Sequence, residues 1–293
     1  MDTETDHSLL DSLNNLQYVQ NSPDSGLNPQ PANKIIETRE NELIRQLKQR
    51  AIARADNLST IYNNSLAGPS ILEAKPARKR IYQELYRLAA SVDQHNKTNY
   101  LAEHLDSVSQ YARLLAVHYV QKFPETSYDG YYPKYFIEGI DVAAALHDIG
   151  KYCVASELVN SSKGYTAAER EVMKVHVECG RRILTFPGCE DLNTRVPMAR
   201  NIAWGHHYQP DGKGYGGNPE NPSLAAAIVR LVDEFDAGTS ERSYKKALPF
   251  EEVVEEWIRP YQRRRFDVRI TETFFEHLDE FRALHDKLKT KKT

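Results

Sequence analysis

The 293-residue sequence is poor in cysteine and has no long apolar segment. Its cysteines, Cys153, Cys179 and Cys189, are odd in number and form no CxxC pair, which argues against a disulfide framework and favours a reducing compartment. No apolar run approaches the ~20 residues that a membrane-spanning helix needs. The acidic, polar start MDTETDHSLLDS is unlike a secretory signal. We therefore predict a cytoplasmic protein with no membrane partner.

A strong charge of either sign is also absent. The chain has 38 Lys and Arg residues against 41 Asp and Glu residues, a formal net charge of -3. Proteins that bind duplex nucleic acid generally present a basic face. The short basic runs at 75–80 and 287–292 are typical of solvated helix faces and tails. We expect no duplex nucleic acid as a partner.

Alternation of the β type is scarce, and helical periodicity dominates from about residue 98 to the C-terminus. Leu101, Leu105 and Val108 form an apolar stripe. Thr166 and Glu169 have capping-box spacing and open another helix, which we expect to continue through His176. The predicted fold class is all-α, a helical bundle.

We divide the chain into three parts. Residues 1–38 are rich in Asn, Ser, Asp and Pro, which predicts a mostly disordered arm. Residues 39–97 form an N-terminal helical segment, and residues 98–290 form the domain that carries the chemistry. The bundle is thus expected to have an N-terminal extension that is partly helical and partly disordered.

Metal-capable side chains stand among apolar helical neighbours at several positions. The adjacent pair His147 and Asp148 follows an apolar run, and a buried carboxylate beside an imidazole needs a partner such as a metal ion. A lone histidine on an apolar face is more often a satisfied core residue. Judged jointly, however, the set predicts a site for two metals. Its other members are His104, His176, His206, His207 and Asp233.

The ligand types narrow the chemistry of this site. Imidazole and carboxylate without thiolate spacing suit iron or manganese, and also zinc, nickel or cobalt. Two ions bridged by Asp148 and a water would lie ~3.5–4 Å apart, and coordination would lower the pKa of that water from about 15.7 towards ~7, which suits phosphoryl transfer. Lys151 either contacts a phosphate oxygen or is an ordinary cation at a helix end; its spacing leaves both readings open.

A glycine-rich loop, HHYQPDGKGYGG at residues 206–217, follows the paired histidines. Its glycines allow backbone amides to approach a ligand closely, and Tyr215 could stack on a base. We take Lys151, Asp211, Gly212, Gly214 and Tyr215 as candidate substrate-binding residues.

In this order, the motifs resemble those of the HD-GYP family, a branch of the HD superfamily of metal-dependent phosphohydrolases. LHDIGKY at 146–152 is similar to the HDxGK signature, and HHYQPDGKGYG at 206–216 resembles HHExxDGxGYP. The segments 103–108, 156–176 and 229–248 resemble the remaining motifs.

The resemblance implies an all-helical HD fold and hydrolysis of cyclic di-GMP to pGpG or GMP by a hydroxide that bridges two metals. It assigns one metal to His104, His147, Asp148 and Asp233, and the other to Asp148, His176, His206 and His207. It also places Lys151 at the phosphate and Arg242 near the nucleotide. Asp236, one turn from Asp233, is expected to orient a ligand.

Two departures from the family loop leave the exact dinucleotide open: Tyr208 replaces a glutamate and Gly216 replaces a proline. Tyr100 stands where some members carry a carboxylate for a third metal, which favours two metals, while Glu103 keeps that question open. One alternative is a phosphodiesterase for another cyclic dinucleotide or a nucleotide. The other is a non-catalytic receptor or interaction module. A homodimer or a signalling-protein partner is also open.

Overall fold

The computed structural model describes residues 3–20, 29–65, 75–91, 100–186, 189, 195–241 and 246–290. It is 74% helical, and no strand occurs among the residues described. The predicted all-α class is confirmed. No helix in these ranges combines the length and the apolar character needed to cross a bilayer.

Thirteen α-helices are numbered here in chain order over the described ranges. They are α1 Thr3–Gln20, α2 Pro29–Ser65, α3 Lys75–Ala90, α4 Tyr100–Lys122, α5 Pro133–Ala144, α6 Ser156–Val159, α7 Ala167–Met173, α8 His176–Ile183, α9 Arg195–Gly205, α10 Leu224–Thr239, α11 Phe250–Glu252, α12 Val268–Glu276 and α13 Leu278–Thr290. Two 3-10 turns, Ile149–Cys153 and Arg259–Tyr261, and a π-helical turn, Val253–Ile258, complete the described elements.

Helix α4 lies at the centre of the bundle and packs against α5, α10 and α12, while α9 packs against α5, α8 and α10. Aromatic side chains fill the space beside α4. Tyr111 meets Phe235 edge to face at 5.2 Å between ring centroids, and Phe274 meets Phe281 at 4.6 Å. Such pairs add to the apolar area that their burial removes from water. This packing holds α4 and α10 side by side.

Helix α1 occupies part of the stretch for which the sequence predicts a mostly disordered arm. Its Leu10 and Leu13 are buried, and Asp6 forms ion pairs with Arg50 and Arg54 of α2. Two leucines three residues apart share one helix face, so a polar segment can still pack onto a longer helix. A packed helix therefore stands over residues 3–20, where the sequence predicts disorder. The three-part division of the chain stays a prediction.

The predicted capping box is confirmed at the start of α7. The Thr166 side chain accepts from the Glu169 amide, and the Glu169 side chain accepts from the Thr166 amide. The helix does not continue to His176 as predicted, because α7 ends at Met173 and α8 begins at His176. The break lets the His176 ring reach back to the Met173 carbonyl oxygen.

Asp129 fixes the start of α10 from outside that helix. Its carboxylate accepts hydrogen bonds from the Leu224 and Ala225 amides at 2.8 and 2.9 Å and from the Ser223 hydroxyl at 2.7 Å. The first amides of a helix have no partner within the helix, so a carboxylate there is stabilising. The segment between α4 and α5 thereby fixes the position of α10.

Candidate metal centre

The seven metal-capable side chains predicted from the sequence converge in one place, although they come from five separate parts of the chain. We call this set the His–Asp cluster: His104, His147, Asp148, His176, His206, His207 and Asp233. Its nitrogen and oxygen atoms form three overlapping groups, each within 4.8 Å. Five of the seven side chains belong to residues that are buried; His207 and Asp233 are intermediate.

Asp148 lies between three histidines of the His–Asp cluster. Its Oδ1 atom is 3.5 Å from Nε2 of His176 and 3.7 Å from Nε2 of His206. Its Oδ2 atom is 3.3 Å from Nε2 of His147. One carboxylate therefore faces three imidazoles, as the predicted bridging position requires.

Asp233, the second carboxylate of the cluster, faces two histidines. Its Oδ1 atom is 3.3 Å from Nε2 of His104 and 3.8 Å from Nε2 of His147. Asp236, one helical turn further along α10, lies on the far side of the His104 ring, with its Oδ2 atom 2.7 Å from Nδ1. Asp236 thus forms a short hydrogen bond with His104, and its role in orienting a metal ligand stays a prediction.

The backbone sets the direction of three imidazoles. His147 donates from Nδ1 to the Ala144 carbonyl at 2.9 Å, and His176 donates to the Met173 carbonyl at 2.8 Å. His206 donates to the carbonyl oxygen of Ile202 at 3.1 Å. Because each Nδ1 carries the proton, each Nε2 presents a lone pair to the cluster, which is the tautomer that a metal ligand needs.

The resulting arrangement places acceptors against acceptors. Nε2 of His176 and Nε2 of His206 are 3.5 Å apart, and Oδ1 of Asp148 faces both. The buried Oδ1 of Asp148 and Nε2 of His147 have no hydrogen-bond partner among the described residues. Unpaired buried acceptors are costly, and a cation between them removes that cost. The donor set therefore fits a divalent metal.

The pKa values of three cluster histidines are shifted in opposite directions. Burial lowers the pKa of His176 to about 3, and burial with the neighbouring His206 and His176 lowers the pKa of His207 well below its usual value. Burial also acts on His104, but hydrogen bonds with Asp233 and Asp236 outweigh it and raise its pKa to about 9. His176 and His207 are thus neutral at pH 7, whereas His104 carries a proton that a metal would displace.

Both cluster carboxylates are held ionised. Burial by itself would raise the pKa of Asp148, but the Lys151 ammonium beside it contributes most to holding that pKa well below the usual range. Burial opposes ionisation of Asp233 too, and the hydrogen bond from His104 outweighs it and lowers the pKa. Anionic oxygens are therefore available as ligands across the physiological pH range.

Lys151 belongs to the turn Ile149–Cys153, not to a continuation of α5, and its ammonium pairs with Asp148. The glycine before it is required by close packing. A Cβ atom on Gly150 would lie 1.8 Å from the His176 carbonyl oxygen and 2.4 Å from the Gly180 amide nitrogen. The turn thus lies directly on the backbone of α8.

The glycine-rich loop, residues 206–217, separates its predicted substrate residues. Tyr215 stacks on His207 at 4.5 Å between ring centroids, and Gly214 lies so close to the His207 carbonyl that a Cβ would stand 2.2 Å from it. Asp211 and Gly212 are exposed, and Asp211 belongs to none of the three ligand groups of the His–Asp cluster. Arg242 lies outside the described residues.

The backbone at Gly216 accounts for one departure from the family loop. Its φ angle is +70°, and a Cβ atom there would lie 2.2 Å from the Trp204 carbonyl oxygen. Proline fixes φ near −65°, so the proline of the family motif cannot occupy this backbone. The change at 216 accompanies a different loop course and is not a neutral exchange.

Two features of the molecule were missed by sequence reasoning. Arg54 of α2 donates to the Cys153 carbonyl at 2.9 Å, beside the predicted centre. His118, His277 and Glu280 form a second, more exposed group of ligand-type side chains, in which the two rings stack at 3.6 Å between centroids. Both join residues about a hundred or more positions apart, for which no local spacing signal exists.

Comparison with known proteins gives a family match over most of the His–Asp cluster. A family model described as HD domain matches residues 133–270, which include all cluster members except His104. His104 nevertheless joins the cluster from α4, outside the matched span. Over these residues the chain is similar to the HD domain family, and the all-helical fold is consistent with that similarity.

The chain is also similar to several curated cyclic dinucleotide phosphodiesterases. The chain is 27% identical over 230 residues to 3'3'-cGAMP-specific phosphodiesterase 2 of Vibrio cholerae, covering 78% of this chain and 41% of the relative. It is 31% identical over 160 residues to a cyclic di-GMP phosphodiesterase of Thermotoga maritima, covering 54% and 42%. It is 36% identical over 110 residues to the cyclic di-GMP phosphodiesterase response regulator RpfG of Xanthomonas campestris, covering 37% and 28%. These matches are similarities to HD-domain proteins and to cyclic dinucleotide phosphodiesterases, and they support the resemblance to the HD-GYP family. The chain spans about two fifths of the length of the first two relatives.

Proposed function

We propose that this chain is a metal-dependent phosphodiesterase that hydrolyses cyclic di-GMP to pGpG or GMP. The observation that carries the proposal is a pair of buried acceptors, Oδ1 of Asp148 and Nε2 of His147, that have no hydrogen-bond partner among the described residues. Nε2 of His176 and Nε2 of His206 face the same Oδ1 atom. The names of the relatives supply the substrate class.

Two divalent ions are proposed to bind in the His–Asp cluster. His104, His147, Asp148 and Asp233 would hold one of them, and Asp148, His176, His206 and His207 the other. Ions of this kind supply a water nucleophile at neutral pH and offset the negative charge of a phosphodiester. Iron and manganese suit this imidazole and carboxylate set best, while zinc, nickel and cobalt are the remaining candidates.

The protein's own groups would position the substrate. Lys151 places an ammonium beside Asp148, where it can donate to a phosphate oxygen and balance charge that develops in the transition state. Tyr215 stacks on the ring of His207. Gly214 lies against the His207 carbonyl oxygen, so the loop backbone also approaches the cluster at His207. We propose Arg242, Asp211 and Gly212 as further substrate contacts.

A second cyclic dinucleotide, 3'3'-cGAMP, is the alternative substrate. One relative is named as specific for it, and the backbone at Gly216 departs from the family loop where substrate fit is expected. A hydrophobic pocket discriminates weakly between similar groups, whereas hydrogen-bonding sites discriminate strongly. The choice between guanine and adenine would therefore depend on polar groups of the loop.

The test is turnover of cyclic di-GMP and 3'3'-cGAMP in parallel, with protein prepared without oxygen and loaded with Fe²⁺ or Mn²⁺. Asp148→Ala should retain the helical fold and lose all product, whereas Asp279→Asn, a surface carboxylate on α13, should behave as wild type. Linear product from wild type alone supports the proposal. No product from either dinucleotide, in protein shown to contain two metals, would overturn it in favour of a receptor role.

A further inference from the structure

The N-terminal helices reach the candidate metal centre through a buried chain of charges. Asp6 of α1 is 3% exposed, and its carboxylate pairs with Arg50 at 2.6 Å and with Arg54. A buried carboxylate is tolerated only when it is paired and hydrogen-bonded, and two guanidinium groups meet that need. Asp6 therefore fixes the Arg54 side chain from the α1 side.

The other end of the Arg54 guanidinium contacts the turn Ile149–Cys153. Its second terminal nitrogen donates to the Cys153 carbonyl oxygen at 2.9 Å. The last carbonyls of a helical turn have no partner within that turn, so this hydrogen bond satisfies an acceptor that would otherwise be buried without one. One planar guanidinium thus joins α1, α2 and the end of the turn.

This turn carries the groups that the proposed reaction uses. Asp148 immediately precedes it, Lys151 lies within it, and the Val154 amide closes it by donating to the Lys151 carbonyl at 3.1 Å. One side of the turn lies on α8 through Gly150. The opposite end, at Cys153, is held by Arg54. Movement of Arg54 would therefore shift Lys151 relative to Asp148.

We propose that Arg54 is a positioning residue for Lys151 and Asp148, and that α1 sets the activity of the centre by holding Arg54 through Asp6. The proposal rests on the proposed function for its effect on turnover, but its structural part does not. A partner or signal that displaced α1 would release Arg54, loosen the turn and lower the rate.

The experiment compares wild type with Arg54→Met and Asp6→Asn in metal-loaded protein that comprises all 293 residues. Asp56→Asn is the matched control, because Asp56 also lies on α2 and pairs with Arg182 of α8 at 2.8 Å, yet does not contact the turn. Hydrogen exchange of the Lys151 and Val154 amides reports on the turn without any need for turnover. Steady-state kinetics with cyclic di-GMP and metal analysis complete the set.

In Arg54→Met, exchange at both amides should quicken about tenfold, as expected for a local opening made easier. The kcat should fall about tenfold with KM changed less than about threefold, because the loss concerns groups aligned for the transition state. Metal content should stay at the wild-type value. Asp6→Asn should show the same changes to a smaller extent, and Asp56→Asn neither.

Arg54→Lys separates positioning from simple support. A lysine keeps the charge beside Asp6 but lacks the fork that reaches two partners at once. It should restore thermal stability more fully than amide protection at Val154. Wild-type exchange at Lys151 and Val154 in both Arg54→Met and Asp6→Asn would overturn the proposal. If wild type turns over no dinucleotide, the proposed function fails, and the exchange comparison still decides whether α1 controls the turn.

Discussion

Gly150 and His176 pack backbone against backbone, with so little space that a Cβ atom at 150 would stand 1.8 Å from the His176 carbonyl oxygen. Gly150, which precedes Lys151 and follows Asp148 by two positions, is thus held against the first residue of α8. Any side chain at 150 must push the turn Ile149–Cys153 away from α8, which carries His176.

We therefore expect Gly150→Ala to destabilise the protein and to weaken metal binding. Overpacking of a tight site costs about 1–3 kcal/mol and is measured by urea denaturation. The matched control is Gly164→Ala, since a Cβ at Gly164 meets nothing within 4 Å. Equal stability and equal metal content in the two variants would contradict the close approach.

Gly216→Pro, which restores the family residue, should disturb the loop. The φ angle of +70° at Gly216 is inaccessible to proline, so the loop must refold around Trp204. We expect a lower melting temperature and a rise in KM for the cyclic dinucleotide. Gly130→Ala provides the comparison, because Gly130 also has a positive φ but open space around it, and the αL penalty there is only about 1–2 kcal/mol. An improved KM in Gly216→Pro would show that the loop readily takes the family course.

Asp236→Asn should weaken metal binding without removing a proposed ligand. The Asp236 carboxylate accepts a 2.7 Å hydrogen bond from the His104 ring, and loss of such an outer partner costs about 10–100-fold in metal affinity. Competition with a chelator of known affinity measures the change. Asp286→Asn is the control, because it alters another aspartate–histidine pair, with His285 at 3.1 Å. Unchanged affinity in Asp236→Asn would mean that Asp236 does not orient His104.

In protein freed of metal by a chelator, His104 should make stability depend on pH. Hydrogen bonds with Asp233 and Asp236 outweigh burial and raise the pKa of His104 from 6.5 to about 9. Because the folded-state pKa is the higher one, this stabilisation is complete below about pH 6.5 and is lost as the pH rises through about 9. The free energy of unfolding should therefore fall across that interval in wild type and less so in His104→Gln. Parallel pH profiles for the two proteins would count against the raised pKa.

The residues of the centre could be predicted because each is marked locally. His147 and Asp148 interrupt an apolar run, and His206 and His207 stand together before a glycine-rich loop. Their convergence follows once the helices pack, since polar groups in an apolar core must find one another. Their roles as ligands stay predictions.

The parts that could not be predicted depend on contacts between distant residues. The polar composition around Asp6 favoured disorder, yet burial of Leu10 and Leu13 and pairing with Arg54 hold α1 in place. The close packing at Gly150 was not predicted, because nothing in the neighbouring sequence indicates that α8 lies against it. Such requirements arise from tertiary packing, which outweighs local composition.

Main-chain oxygens orient three imidazoles of the centre, those of His147, His176 and His206. A main-chain carbonyl oxygen is present whatever side chain its residue carries. Substitutions around these histidines that leave the helix intact therefore leave their tautomers unchanged. His104 differs, since its orientation depends on the side chain of Asp236. A single substitution at position 236 can therefore change the orientation of His104, while the other three imidazoles keep theirs.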